Sequence, residues 1–455
     1  MSASPAAAAA ATYPSPRRAW YALSIIAFGY IFAFLDRSVV GLIAPDITAD
    51  FGLTDTQMGL LQGLAFALLY TLFGLPLGWY VDRFNRKWIF AGGMALWSGM
   101  TALCGTATSF MQLFIYRLGV GVGESTLNPC SSSLISDLFP PEKRARAFAF
   151  YTMATAFAGL STALIVGVVL AALRDTPTVN VPLLGELKKW QVVFLAVGLP
   201  GLIPAFLLAF TVAEPKRMGL AAKVKGRATW GETRAFIGSN KIALGFTLLA
   251  AALVILEIYA AAYWHPTIML RLFGWSPLQT VMTLNLFGAM CGIVSAYTSA
   301  NLTNYFKRRG HPEAVLFTIM VGVIGCTILG AAGPLMPTAE LAAVTLIAKS
   351  FFVNYPPAAA ITAINEVTPN EHRGLTTALY VILTGLVAQG IGPVSVGFTT
   401  DAVFQDPKAI GLSLSLVVLA TGVIAAVLLL YARPAYRRAV ANVTWERPAP
   451  AAAGH

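Results

Sequence analysis

Long apolar stretches separated by short polar segments run from Trp20 to the cluster Arg433, Arg437 and Arg438. A helix needs roughly 20 apolar residues to cross a bilayer. Twelve stretches of that order can be marked, over 19–44, 55–81, 87–108, 111–136, 146–172, 190–213, 241–272, 277–305, 313–333, 340–365, 374–401 and 409–432. Hydrocarbon offers backbone groups no hydrogen-bond partner, so segments of this kind are either helices or strands of a closed barrel. The runs are far too continuous for barrel strands, in which apolar residues alternate with polar ones. The pattern predicts an all-α membrane protein with twelve transmembrane helices.

Composition agrees with this reading. The chain is 57% hydrophobic and 11% charged, with a mean hydropathy of +0.70, whereas a soluble domain is about 25% charged. The net charge of +11 would suit nucleic acid, but its placement gives another meaning. With a cytoplasmic N-terminus, 23 of the 31 Lys and Arg fall in cytoplasmic segments, which is the positive-inside bias. Both termini are then cytoplasmic, as an even number of spans requires. No basic face is interleaved with exposed aromatics, so a nucleic-acid partner is not expected. Cys104, Cys130, Cys291 and Cys326 all lie in expected spans without metal-ligand spacing, and the four His are scattered. Neither a disulfide frame nor a metal site is expected. The Ala-rich segment 3–12 reads as a disordered tail, because it lacks the basic and Leu-rich regions of a cleaved signal.

Comparing the chain with itself reveals a repeat. Phe51-Gly52-Leu53-Thr54 with Gln57 recurs as Phe273-Gly274-Trp275-Ser276 with Gln279 at an offset of 222, which also carries Arg86 to Arg308. At an offset of 229, Pro140, Glu142, Arg144, Ala149 and Tyr151 match Pro369, Glu371, Arg373, Ala378 and Tyr380. Loop residues at fixed spacing do not recur merely because hydrophobic helices resemble one another. The expected organisation is a tail (1–18), a six-helix bundle (19–213), a charged cytoplasmic linker (214–240), a second six-helix bundle (241–438) and a C-terminal tail (439–455). Two parallel six-helix repeats with a site at their interface form the plan of a secondary transporter that works by alternating access.

Several motifs carry candidate chemistry. After the second span comes Gly78-Trp-Tyr-Val-Asp82-Arg83-Phe-Asn85-Arg86-Lys87. The fourth opens Arg117-Leu-Gly-Val-Gly121-Val-Gly123-Glu124-Ser125. Seven residues at about 100° each bring Glu124 within about 20° of the azimuth of Arg117, two turns along, and Asn128 extends the polar strip. Asp36 and Arg37 stand in the first span and Lys349 in the tenth. Glu257 occupies the repeat equivalent of Asp36 at an offset of 221. A charge at membrane depth is a functional candidate by default, because it is costly unless paired or hydrated. Glu257, with Tyr259, Tyr263, Trp264 and His265 on the same span, suggests a polar and aromatic wall, although aromatics alone are better read as anchors at the lipid interface. Pro266, Pro356-Pro357 and Gly390-Ile-Gly392-Pro393 mark expected kinks.

The loop from Gly78 to Lys87 resembles the signature loop of the major facilitator superfamily, with Asn85 where Gly is usual. Together with Gly59-Leu60-Leu61-Gln62, Gly92-Gly93 before Trp97-Ser98, Gly121-Val-Gly-Glu-Ser125, Leu134-Ile-Ser-Asp-Leu-Phe139 and Trp190 to Glu214-Pro215, it is similar to the spinster family, most specifically in the N-terminal half. That resemblance implies two pseudo-symmetric six-helix bundles, and a latch formed by Gly78, Asp82, Arg83, Arg86 and Lys87 on the cytoplasmic side of the outward-facing state. It points to Asp36, Arg37, Arg117 and Glu124 as the substrate and proton-coupling residues. Asn128, Glu257, Tyr263 and Lys349 are candidates to line the cavity.

The expected function is secondary or facilitative transport of an amphipathic anionic lipid, of the lysophospholipid or sphingosine-phosphate kind. Asp36 and Glu124 would titrate, with Arg37 and Arg117 as their counter-ions. A proton-coupled carrier of small organic anions or drugs is the alternative within transport, and a receptor that binds without moving its ligand is the alternative outside it. There is no Gly-rich phosphate loop and no nucleophile–base pair, so neither an enzyme nor an ATP-driven pump is expected. No cofactor is called for. The expected partners are protons, membrane lipids and a small-molecule or lipid substrate, handled by a monomer in a bacterial inner membrane.

Overall fold

The computed structural model describes residues 13–173, 176, 178–182, 184–217 and 229–441. Of the expected tails, 1–18 and 439–455, residues 1–12 and 442–455 lie outside the described residues, as do Lys223, Lys225 and Arg227 of the linker.

In the first half, α1 (Pro16–Phe51) is followed by α2 (Asp55–Gly59), which runs through a π-helical stretch, Leu60–Leu64, into α3 (Ala65–Arg83). Next come α4 (Arg86–Cys104), α5 (Phe110–Glu124) with α6 (Leu127–Leu138), α7 (Pro141–Ala172) and α8 (Lys189–Thr211). The connecting helix α9 (Trp230–Ser239) leads to the second half. There α10 (Phe246–Phe273), α11 (Pro277–Arg308), α12 (Ala314–Ala332) and α13 (Ala339–Ser350) with α14 (Tyr355–Val367) precede α15 (Asn370–Ile382), which continues through the π-helical Leu383–Ile391 into α16 (Gly392–Phe398). The last helix is α17 (Ile410–Ala441).

Among the described residues, eight of these passes are long and apolar enough to cross a membrane as they stand. The other four are α4, the broken pair α5–α6, α7 and the broken pair α13–α14, which completes the twelve passes expected from the sequence. The fourth and tenth spans, each expected as one helix, are interrupted at matching places in the repeat. Pro129 in α6 and Pro356 in α14 cannot donate to the preceding turn, so the ladder breaks just before them. An unexpected antiparallel hairpin, β1 (Thr178–Val181) with β2 (Gly185–Lys188), joins α7 to α8.

The repeat has a structural cause at each recurring loop residue. Gly52 (φ 62°) and Gly274 (φ 67°) end α1 and α10 in the left-handed conformation, which glycine adopts without steric cost. Thr54 and Ser276 then cap α2 and α11 by accepting the backbone N–H of Gln57 and Gln279. Arg144 and Arg373 each donate Nε to the carbonyl five residues earlier, Phe139 at 3.1 Å and Thr368 at 3.0 Å. The same corner is built twice.

The halves meet towards the end opposite the chain termini. Gly59 and Gly63 lie against the backbone of Pro393 and Gly390, Gly41 faces Tyr263 and Pro266, and Gly167 faces Leu278. Arg271 of α10 forks onto Asp55 of α2, Nη1 and Nη2 each 2.8 Å from a carboxylate oxygen. Asp401 accepts the Thr56 N–H at 2.7 Å and the Thr56 hydroxyl at 2.6 Å, so a carboxylate from the second half caps a helix start in the first. At the other end Trp79, Tyr80, Asp82, Arg83 and Phe84 are exposed. The halves are clasped opposite the termini, while the end of α3 beside the termini is exposed.

Candidate functional site

Asp36 falls in the middle of α1 and is buried, not capping its end. Its neighbour Arg37 points about 100° away around the helix, so adjacent residues reach different partners. Arg117 and Glu124, seven residues apart, share one face of α5, and the two helices are joined by crossed ion pairs. Arg117 Nη1 lies 2.7 Å from Asp36 Oδ2, and Thr101 of α4 donates its hydroxyl to Asp36 Oδ1 at 2.7 Å. Arg37 sends both Nε (2.7 Å) and Nη2 (2.5 Å) to the same oxygen of Glu124, Oε2.

Three of the four members are essentially sealed: Asp36, Arg117 and Glu124 are at most 1% exposed, while the Arg37 side chain keeps 22%. Hydrogen-bonding capacity is left over inside the site. Nε and Nη2 of Arg117 and Oε1 of Glu124 are buried without a hydrogen-bond partner among the described residues. The Arg37 guanidinium lies over the rings of Phe66 and Tyr70, 4.6 and 5.1 Å from their centroids, within cation–π range. Asn128 donates to the Tyr70 hydroxyl at 3.0 Å, which ties the end of the polar strip to the same aromatic wall.

From that wall an apolar stripe runs towards the open end. Phe66, Tyr70, Phe73, Leu77, Tyr80 and Phe84 recur along α3 at intervals of three and four, within about 40° of one azimuth. A groove of about 650 Å³ is lined by Phe73, Pro76, Leu77, Tyr80, Phe84 and Ile89. Phe66 and Tyr70, under the Arg37 guanidinium, stand on the same face of α3 one to two turns before Phe73.

The remaining expected residues are divided between the halves. Glu257 and Lys349 lie deep in the second half and do not join the first cluster; both are buried, and Thr327 of α12 donates to Glu257 Oε2 at 3.1 Å. Tyr263 is buried and stacks with Tyr259 at 6.5 Å. Trp264, expected with them on the polar and aromatic wall, instead donates Nε1 to the Pro393 carbonyl at 2.9 Å and packs α10 on α16.

The expected latch is split. Asp82 and Arg83 are exposed, Arg83 lies over the Trp79 ring at 3.7 Å, and Asp82 makes no hydrogen bond or ion pair among the described residues. Gly78 is half-buried, and a Cβ there would meet nothing within 4 Å. Arg86 and Lys87 are engaged within their own half. Arg86 is fully buried against Asp137, Ser133 and Glu214 (Nε–Oε1 2.8 Å), and the Lys87 N–H donates to the other Glu214 oxygen at 2.8 Å. This clamp fixes the α3–α4 corner to the end of α6 and the start of the linker. At the equivalent corner of the second half Lys307, the residue before the repeat equivalent of Arg86, pairs with Glu366 at 2.5 Å.

Sequence reasoning missed Thr101, Tyr70 and Thr327, whose roles depend on which helices are neighbours. It also missed the clasp of Arg271 on Asp55 and of Asp401 on Thr56. The sole trace of that clasp was an acid following the Thr54 cap.

Known proteins resemble the chain along most of its length. It is 25% identical over 434 residues to an MFS-type efflux pump of Mycolicibacterium smegmatis, covering 93% of this chain and 94% of that protein. It is 26% identical to a hexuronate transporter of Bacillus subtilis (81% and 85% covered) and 26% identical to protein spinster homolog 1 of Xenopus laevis (83% and 72%). Among solved structures, a bacterial homologue of the human lysosomal transporter spinster, inward-facing and unoccupied, superposes with a TM-score of 0.75 at 24% identity, covering 96% of this chain and 100% of that one. A profile of the Major Facilitator Superfamily matches residues 26–353, and the chain, an integral multi-pass transporter of a small-molecule substrate, belongs to that superfamily.

Proposed function

We propose that the protein is a proton-linked, alternating-access carrier of an amphipathic organic anion, with a lysophospholipid or sphingosine-phosphate-like molecule as the favoured cargo. The observation that carries this reading is the continuity between the reachable guanidinium of Arg37 and the apolar stripe of α3. An acidic head group would replace Glu124 on Arg37 and draw on the unused N–H groups of Arg117, while an acyl chain follows Phe73, Leu77, Tyr80 and Phe84. The planar fork of Arg suits carboxylate and phosphate alike.

Asp36 and Glu124 are the proton carriers. A proton on Glu124 releases Arg37 for the cargo, and one on Asp36 releases Arg117. The charge bias of the loops supports cytoplasmic termini, here in a bacterial inner membrane, and with that orientation the conformation is inward-facing, with Asp82 and Arg83 unlatched. Residues 19–213 and 241–438 rock as two units about the contacts of Gly59, Gly63 and Gly41. A second reading, a carrier of small hydrophilic acids, is favoured by the similarity to hexuronate and galactarate/D-glucarate transporters of Bacillus subtilis.

Counterflow in proteoliposomes with lysolipids of increasing chain length, and with sugar acids as a second arm, tests the proposal. Each methylene buried in the stripe contributes about 0.8 kcal/mol, or about fourfold in apparent affinity. A dependence flat in chain length, with sugar acids exchanged instead, selects the second reading, and binding without counterflow of either class makes the protein a receptor. Transport whose pH profile is the same in wild type, Asp36→Asn and Glu124→Gln refutes the proton assignment.

A further inference from the structure

The two halves each contain a carboxylate, a hydroxyl and a cation on corresponding helices. Asp36, Thr101 and Arg117 come from the first, third and fourth passes; Glu257, Thr327 and Lys349 come from the seventh, ninth and tenth, at offsets of 221, 226 and 232. In both sets the hydroxyl donates to the carboxylate. They differ in the cation. Arg117 touches Asp36 at 2.7 Å, whereas no ion pair within 4.0 Å joins Lys349 to Glu257.

Glu257 is fully buried, with Oε1 lacking any hydrogen-bond partner among the described residues, and Lys349 is 3% exposed. Lys349 Nζ lies over Gly330, where a Cβ would stand 3.2 Å from it, and Gly422 of α17 packs directly on Thr327. The titratable groups around the carboxyl are Lys349 from α13 and Cys326 from α12, with His265 two turns along its own helix. The other helices packed on α10 bring none to it among the described residues. A buried carboxylate without a cation in contact is costly by several kcal/mol, and such a group neutralises instead.

We propose that Glu257 is a further proton-binding site, protonated in the conformation described, and that Lys349 moves into contact when the proton leaves. The group cycles between a neutral acid beside an ammonium and a carboxylate–ammonium pair, with the proton released to water. The first half holds its pair closed while the second holds its pair open. The two sets would therefore exchange roles as the halves rock, giving each half its own charge state in each conformation. This inference rests on the family fold and not on the cargo.

The test is pH-difference infrared spectroscopy of the full chain in proteoliposomes without any substrate, so failure of the cargo assignment leaves it untouched. Wild type should show the carbonyl stretch of a buried protonated carboxyl that Glu257→Gln abolishes and that Asp36→Asn and Glu124→Gln retain. Lys349→Met, which removes the cation that favours the charged form, should raise the midpoint of that band by about one pH unit or more. If Glu257→Gln does not fold, Thr327→Val decides, because loss of the hydroxyl must shift the band in frequency. The proposal is overturned by a spectrum unchanged in Glu257→Gln, a midpoint unmoved in Lys349→Met, or a frequency unmoved in Thr327→Val.

Discussion

The closed end rests on two glycines, and adding a methyl group to each should force it open. A Cβ at Gly59 would stand 2.6 Å from the Pro393 carbonyl oxygen and 2.9 Å from Val394 Cα, and one at Gly63 would stand 2.6 Å from the Gly390 oxygen. All of these are backbone atoms, which cannot swing aside as a flexible side chain does. Overpacking of this kind costs about 1–3 kcal/mol per site, and the cost vanishes once α2 and α3 separate from α16. A net bias of about 2 kcal/mol changes the ratio of the two conformations about 30-fold, lifting an outward-open population of about 1% to about a quarter. Double electron–electron resonance reads this directly. Spin labels introduced by Phe84→Cys and Arg308→Cys report the open end, and labels from Thr54→Cys and Gln405→Cys report the closed one. In Gly59→Ala/Gly63→Ala the first distance should gain a shorter component and the second a longer one. Unchanged distributions in a well-folded double variant would refute the view that these contacts hold the closed state.

Two further outcomes follow from the charge pairs. Asp36→Asn leaves the Arg117 guanidinium buried without its counter-charge, so thermal unfolding in detergent should show a loss of about 3–5 kcal/mol, largely recovered in Asp36→Asn/Arg117→Gln; additive losses would mean that the pair is not coupled. Glu313, between α11 and α12, is held below the usual carboxylate range: burial alone would raise it, but its own backbone N–H and Arg433, 3.1 Å away, outweigh that. Its stabilising contribution is present above the unfolded value of about 4.3 and is lost as pH falls through the folded one. Because Arg433 is 48% exposed, the effect is under about 1 kcal/mol, and Arg433→Gln should flatten stability between pH 5 and 3 by about that amount, as a pH series of melting temperatures would show.

The number of spans, the repeat and the charges at membrane depth were set by local chemistry and were legible in the chain. Twenty-residue apolar runs have no other stable form in hydrocarbon. Gly52 with Thr54 and Gly274 with Ser276 are stop and start signals that act within a few residues of themselves. Asp36, Arg37, Arg117 and Glu124 stood out because charge at membrane depth is costly wherever it occurs. Which charge meets which was decided by tertiary packing alone. The crossed pairing of Asp36 with Arg117 and Arg37 with Glu124 depends on the rotation of α1 against α5. The burial of Arg86 against Asp137 and Glu214 depends on Glu214 being brought back to it from 128 residues away. The open and closed ends likewise follow from how one half leans on the other, a choice between two packings that one sequence must be able to adopt and therefore cannot encode as a single pattern.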